Sequence, residues 1–322
     1  MADKNKSGDF YDRPEKLGAW AGFSQFLWNS DTSQFMGRTG SSWGKILLFY
    51  AIFYTVLSAF FMTLWFLFAS TLVETNPKYK LEESCIGATP GLGFRPTPPE
   101  SSFDSTLIWF EKNNENNTAY WVQELDEFLK GFETNSSKTV DCRTIQPKAG
   151  QACKIDFEAY KECNSKRSYG YKEGKPCIFL KLNKIYDWKP QYYGDTSLLP
   201  DEVPSQLTNH IKGRIRSNKS TEVVWVSCEG ERPGDIDNLG TDISYYGLGD
   251  EQGFLGRYFP YTKAAGYMQP LVAVKFNSIK PGVIVNIECK AWTQNIRHAD
   301  FERKDRKGSV HFEIMIDEPK KN

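Results

Sequence analysis

Histidine is scarce in this chain. Three occur in 322 residues, His210, His298 and His311, with no helical or strand spacing that would gather them on a metal. No P-loop and no dinucleotide fingerprint is present, which removes the common phosphate-cradling chemistries. Net charge is missing as well, since 40 Lys and Arg balance 40 Asp and Glu to give +0. A nucleic-acid partner demands a basic face, so that class is set aside. Cysteine is absent from everything ahead of Cys85, although the chain holds 7. That one-sided distribution implies two redox environments in one protein.

What lies between the two regions is an uncharged run of 28 residues, Ile46 to Val73, bounded by Lys45 and Glu74. A helix needs only about 20 apolar residues to cross a bilayer. The run is too long, and too far into the chain, for a cleaved signal peptide, whose apolar core spans about 7–15 residues. It therefore reads as a signal anchor. The expected organisation is a cytoplasmic tail (1–45), a transmembrane helix (46–73), a Pro/Gly-rich extracellular stalk (74–102) and an ectodomain (103–322). Lys4, Lys6, Arg13, Lys16, Arg38 and Lys45 precede the run, whereas Lys78 and Lys80 follow it among Glu74, Glu82 and Glu83. Excess Lys and Arg mark the cytoplasmic side, so the C-terminal part faces out. Asn-x-Ser/Thr acceptors at Asn116, Asn135 and Asn218 lie on that outer side, as expected for glycosylation. Asn5 also fits the form, but this topology leaves it in the cytosol.

The outer part changes its periodicity along its length. In Ala119–Leu129, Trp121, Leu125, Phe128 and Leu129 share one helical face, with closure expected near Gly131. Further on the period becomes two. Strands are expected at Ile178–Ile185, Val223–Cys228, Leu271–Phe276, Val283–Trp292 and Ser309–Asp317. Short strands with long Gly/Pro/Asp-rich connections predict a mainly β, antiparallel sandwich with an inserted helix. Six cysteines allow 15 connectivities. Joining near neighbours gives Cys142–Cys153 and Cys163–Cys177, and leaves Cys228–Cys289. Alternation speaks directly only for the last, because Val224, Val226 and Cys228 share a face, as do Ile287 and Cys289. Cys85 is left over and reads as an unpaired thiol.

The apolar run is more than generic. Ala51, Thr55, Ala59 and Thr63 recur every four residues, a ridge on which another helix can pack closely. Beside it runs an aromatic stripe of Tyr50, Phe53, Tyr54, Phe61 and Trp65. Two other functions fit parts of the sequence. Asp235-Ile236-Asp237 has the Asp-x-Asp form of a metal-dependent Golgi glycosyltransferase, although its Pro-Gly context reads better as a solvated turn. A glycosylated outward sandwich could also serve cell adhesion.

Several segments, in order, resemble the β subunit of the sodium/potassium pump family, the P-type ATPases that exchange potassium for another cation. They are Trp28–Thr39 with Trp43, then Leu48-Phe49-Tyr50 with Phe53-Tyr54, and Tyr169–Cys177. Tyr258-Phe259-Pro260-Tyr261, Gln269-Pro270-Leu271 and Ile287–Ala291 complete the series. The chain departs from the family at Cys163-Asn164-Ser165, which usually reads Cys-Ser-Gly, and at Thr55, usually glycine. The resemblance implies a single transmembrane α-helix and an immunoglobulin-like ectodomain with three disulfides and glycans. It implies a non-catalytic plasma-membrane role beside a large catalytic α subunit, with a small single-span regulatory subunit and membrane lipid as further neighbours. Tyr50, Phe53 and Tyr54 would face an α-subunit helix, and Tyr258, Phe259, Pro260 and Tyr261 would cap an outer α loop. The Asp-Lys-Thr-Gly-Thr run that P-type pumps phosphorylate is absent, so no catalytic site and no cofactor is expected.

Overall fold

A computed structural model describes residues 18–30, 32–73, 76–99, 101, 105–133, 139–148, 150–248, 252–298 and 307–318. The chain divides into two units, Met1–Val73 and Glu74–Asn322.

In the first unit a helix, α1 (Ala19–Leu27), leads into three short strands, β1 (Trp28–Asn29), β2 (Gln34–Phe35) and β3 (Arg38–Thr39). They form an antiparallel ladder in that order. Met36 and Gly37 make the two-residue turn between β2 and β3, both at positive φ, which matches the right-handed twist of a hairpin. The Trp43 indole N–H donates to the Phe35 carbonyl at 2.8 Å, tying the ladder to the first turn of α2 (Gly40–Ser70). This helix has 31 residues and a mean hydropathy of 2.0, and none of its side chains is buried within its own chain. At about 1.5 Å per residue it is about 46 Å long, against a hydrocarbon core of about 30 Å. By length and composition it is a single membrane span.

The second unit contains β4 (Leu92–Arg95), β5 (Leu107–Glu111), α3 (Glu115–Lys130), β6 (Thr139–Val140), β7 (Ala152–Cys153) and β8 (Cys177–Leu182). After these come α4 (Ser205–Arg216), β9 (Val223–Gly230), α5 (Pro233–Leu239), β10 (Ile243–Gly247) and β11 (Gly253–Leu255). The last strands are β12 (Leu271–Phe276), β13 (Ile284–Trp292) and β14 (Ser309–Asp317). Four strands form one sheet in the order β10-β12-β8-β4, and five form a second in the order β11-β9-β13-β14-β5. Both sheets contribute to one buried cluster. Phe94 of β4 and Phe276 of β12 each meet Phe312 of β14, with ring centroids 5.0 and 6.1 Å apart.

The two-residue period decides what faces inward. Val285, Ile287, Cys289 and Ala291 of β13 are buried, as are Phe312, Ile314 and Ile316 of β14. In β9 both faces are covered: Val224, Val226 and Cys228 join the main core, while Val223 and Trp225 join a second cluster with Leu207 and Ile211 of α4. Helix α3 buries Trp121, Leu125 and Leu129, is capped by the Asn114 side chain accepting from the Asn117 N–H, and closes at Gly131.

Three sequence expectations are corrected. The pairing is not wholly antiparallel, because β5 lies parallel to β14 at the edge of the larger sheet. The expected stalk ends early, because Leu92–Arg95 is strand β4, paired with β8. Asp235 does not sit in a solvated turn, nor is it free to share a cation. It is buried in α5 and accepts from the Asn286 backbone N–H at 3.0 Å and from its side-chain amide at 3.2 Å, fastening the helix to β13.

Candidate functional site

Two surfaces carry the residues that the sequence singled out. The first is the exposed side of α2. Tyr50 and Tyr54 stack with centroids 5.9 Å apart, Phe49 and Phe53 at 6.2 Å, and Phe53 meets Tyr54 edge-on at 5.4 Å. Helical spacing puts Tyr50, Tyr54, Phe61 and Trp65 on one stripe, with Ala51, Thr55, Ala59 and Thr63 beside it. The hydroxyls of Thr55 and Thr63 donate to the Ala51 and Ala59 carbonyls at 2.7 and 2.8 Å. Bonding back into the previous turn satisfies them inside the helix. The small-residue ridge therefore offers a neighbouring helix methyl groups rather than unmet donors.

The second surface is built around Tyr258–Tyr261. Tyr258 ends a short 3-10 turn, Gly256–Tyr258, and is buried, its hydroxyl donating to the Lys154 carbonyl at 2.9 Å. Burial raises its pKa, so the phenol stays protonated. Phe259 is half-buried, packs edge-on to Trp188 at 5.4 Å, and precedes Pro260 through a cis peptide bond. Any partner at this segment thus meets Tyr261 and its neighbours rather than Tyr258. Tyr261 lies 4.8 Å from Tyr267 and 6.1 Å from Tyr186, and its carbonyl accepts from the Asp187 N–H at 2.9 Å. The Lys184 ammonium stands 5.6 Å from the rings of both Tyr261 and Tyr267. Lys80 stands 4.7 Å from the Tyr186 ring and bonds Asp187 at 2.6 Å. The result is a half-buried tyrosine cluster with cations over its faces, an arrangement suited to a polar–aromatic contact surface.

Sequence reasoning did not foresee how the first disulfide serves this surface. Cys142 is bonded to Cys153, Cys163 to Cys177 and Cys228 to Cys289. The Arg257 guanidinium donates to the carbonyls of Cys142 and Arg143 at 3.0 and 3.1 Å, which seats the tyrosine turn on the disulfide loop. Gly256 makes that seat possible: a β-carbon there would lie 2.3 Å from the Tyr192 hydroxyl and 2.7 Å from the Glu222 carbonyl. Cys228 and Cys289 face each other directly across β9 and β13, so this bridge lies within one sheet.

The Tyr169–Cys177 segment is structural. Gly170 has φ +76, and a β-carbon would fall 2.0 Å from the Lys175 carbonyl, so only glycine fits. The Tyr169 hydroxyl donates to Asp126 at 2.7 Å and holds α3 beside it. Asn116 and Asn218 are exposed, and Asn135 lies outside the described residues. Cys85 is a free, exposed thiol. Among the described residues no group of three or more His, Cys, Asp or Glu is placed to hold a metal.

A family model described as "Sodium / potassium ATPase beta chain" matches residues 13–312. The chain is 39% identical over 316 residues to sodium/potassium-transporting ATPase subunit beta-2 of Drosophila melanogaster, covering 96% of each. It is 37% identical to subunit beta-1 of the same organism, covering 98% of each. It is 33% identical to subunit beta-2 of Homo sapiens, covering 91% of this chain and 93% of that one.

Proposed function

The chain belongs to the sodium/potassium ATPase β-chain family, and from that premise we propose that it is the non-catalytic subunit of a sodium/potassium-exchanging pump. It assists folding, assembly and plasma-membrane delivery of a catalytic α subunit and modulates potassium transport. The observation that carries this reading is the family match over residues 13–312, which spans both the membrane helix and the disulfide-braced domain.

The physical role follows from two contacts. In the membrane, Tyr50, Phe53 and Tyr54 with the Ala51–Thr63 ridge pack against an α-subunit helix. A small single-span regulatory subunit and lipid cover the rest of α2. Outside, Tyr261 with Tyr186, Tyr267 and Lys184 clasps an α loop. A clasp that fits one conformation of that loop better than another shifts the pump's equilibrium by the difference in contact energy. The tail lies in the cytosol and the ectodomain outside, carrying glycans at Asn116, Asn135 and Asn218. The ectodomain is immunoglobulin-like in having two sheets around one core, while its strand-joining disulfide lies within a sheet rather than between sheets.

Purification of the full chain in mild detergent tests the reading. A multi-span P-type ATPase is expected to come with it, and its absence would overturn the assignment.

A further inference from the structure

We propose that α1 lies flat in the membrane–water boundary as a second anchor, with Trp20, Phe23, Phe26 and Leu27 set into lipid. At 100° per residue these four side chains fall within an arc of about 120°, with Ala21 and Gln25 opposite and Ser24 just beyond its edge. An apolar helix face of a water-soluble unit is normally covered by its own chain. Here Trp20 is 83% exposed, Phe23 51%, Phe26 52% and Leu27 37%, and no residue of α1 is buried.

The location of α1 follows from its ties. Met36 N–H donates to the Leu27 carbonyl at 3.1 Å, so the end of α1 is bonded to the hairpin. Phe35 of that hairpin accepts from Trp43, and its ring sits 6.1 Å from the Trp43 ring. Trp43 is three residues ahead of Ile46, where the uncharged run begins. Because α2 outreaches the hydrocarbon core by several turns, its first turn belongs at headgroup depth, and the ladder and α1 are held to it.

The occupant is a lipid surface for two reasons. Tryptophan and phenylalanine suit the boundary, where an apolar body meets a hydrated edge. From Gly18 to Lys45 the sequence carries Arg38 and Lys45 against Asp31, a small basic excess suited to anionic headgroups, and α1 itself has no charge to repel them. A protein-binding helix would normally have a polar rim to fix its register. The proposal rests on α2 spanning a membrane, not on the pairing with a pump.

Spin labels at Phe23→Cys, Phe26→Cys, Ser24→Cys and Gln25→Cys, each in a Cys85→Ser background, report on it directly. The full chain would be reconstituted alone in phosphatidylcholine–phosphatidylserine vesicles, and again with the pump. The measured quantity is the ratio of collisions with oxygen, which enters lipid, to those with a water-soluble nickel chelate. A ratio several-fold higher at Phe23 and Phe26 than at Ser24 and Gln25, in both preparations, is expected. Equal ratios at all four positions would overturn the proposal. So would screening of Phe23 and Phe26 from both reagents, which marks a protein cover. Failure to recover a pump would leave the vesicle result standing, so the two readings fail separately.

Discussion

Single side chains divide here into those that hold the frame and those left free to meet something else. Asp235 belongs to the first group. Replacing it with Ala removes the acceptor of the half-buried Asn286 N–H and amide, at about 1–3 kcal/mol, whereas Asp237→Ala at an exposed position should stay within about 0.5 kcal/mol. Thermal unfolding checks both, and added Mn2+ should leave the melting temperature unchanged. A second residue-scale consequence concerns acid. Glu162 bonds the buried Lys275, and that ammonium holds the carboxyl below its usual range. A carboxyl depressed in the fold contributes stability above its unfolded pKa of about 4.3, and the contribution is lost as pH falls through the lower folded value. Glu162→Gln should therefore weaken the fold at neutral pH and flatten the fall in melting temperature below about pH 4. An unchanged acid limb would show that this pair does not matter. Neither partnership is legible in sequence, because Glu162 and Lys275 lie 113 positions apart and no periodicity joins them.

At the level of elements, legibility tracks how local the determining force is. The alternation in Ser309–Asp317 and the short apolar run of Leu271–Phe276, buried on both faces, set strands with those bounds, and Trp121, Leu125 and Leu129 mark the face of α3. Helix α4 escaped the reading because its burial is sparse: Leu207 and Ile211 meet Trp225 and Trp292 across the outer face of β9 and β13. The parallel edge strand β5 and the docking of β4 depend on partners more than 80 residues away, which sequence patterns do not encode. Alternation did bring Cys228 and Cys289 to the same side of neighbouring strands, although it could not say that the strands pair directly. Their bridge closes a separation of 61 residues. Cys228→Ser should cost roughly 2–5 kcal/mol and hold the protein in the secretory pathway. Normal delivery to the cell surface would contradict the role of the bridge as a core staple. Cys142→Ser should act differently, releasing the loop that seats Arg257 and thus loosening the Tyr261 cluster more than the fold. Its signature is reduced partner recovery with a smaller change in melting temperature.

For the whole molecule, the proposal makes the two surfaces a linked pair of contacts on one chain. If both surfaces bind the same α subunit, contact by one raises the effective concentration of the other, because they belong to one chain. Weakening one surface should then lower co-purification of the α subunit partially, and weakening both should abolish it. Tyr50→Ala with Tyr54→Ala tests the membrane side. These rings are exposed on α2, and among the described residues their ring contacts are to neighbouring helix positions, so folding and glycosylation of the ectodomain should persist. Tyr261→Ala with Lys184→Ala tests the outer side without disturbing the buried Tyr258. If the membrane pair alone leaves recovery in mild detergent unchanged, α2 serves as an anchor without a specific helix contact, and the outer cluster must supply the association by itself. If instead each pair lowers recovery and the combination removes it, the anchor and the clasp are two halves of one grip.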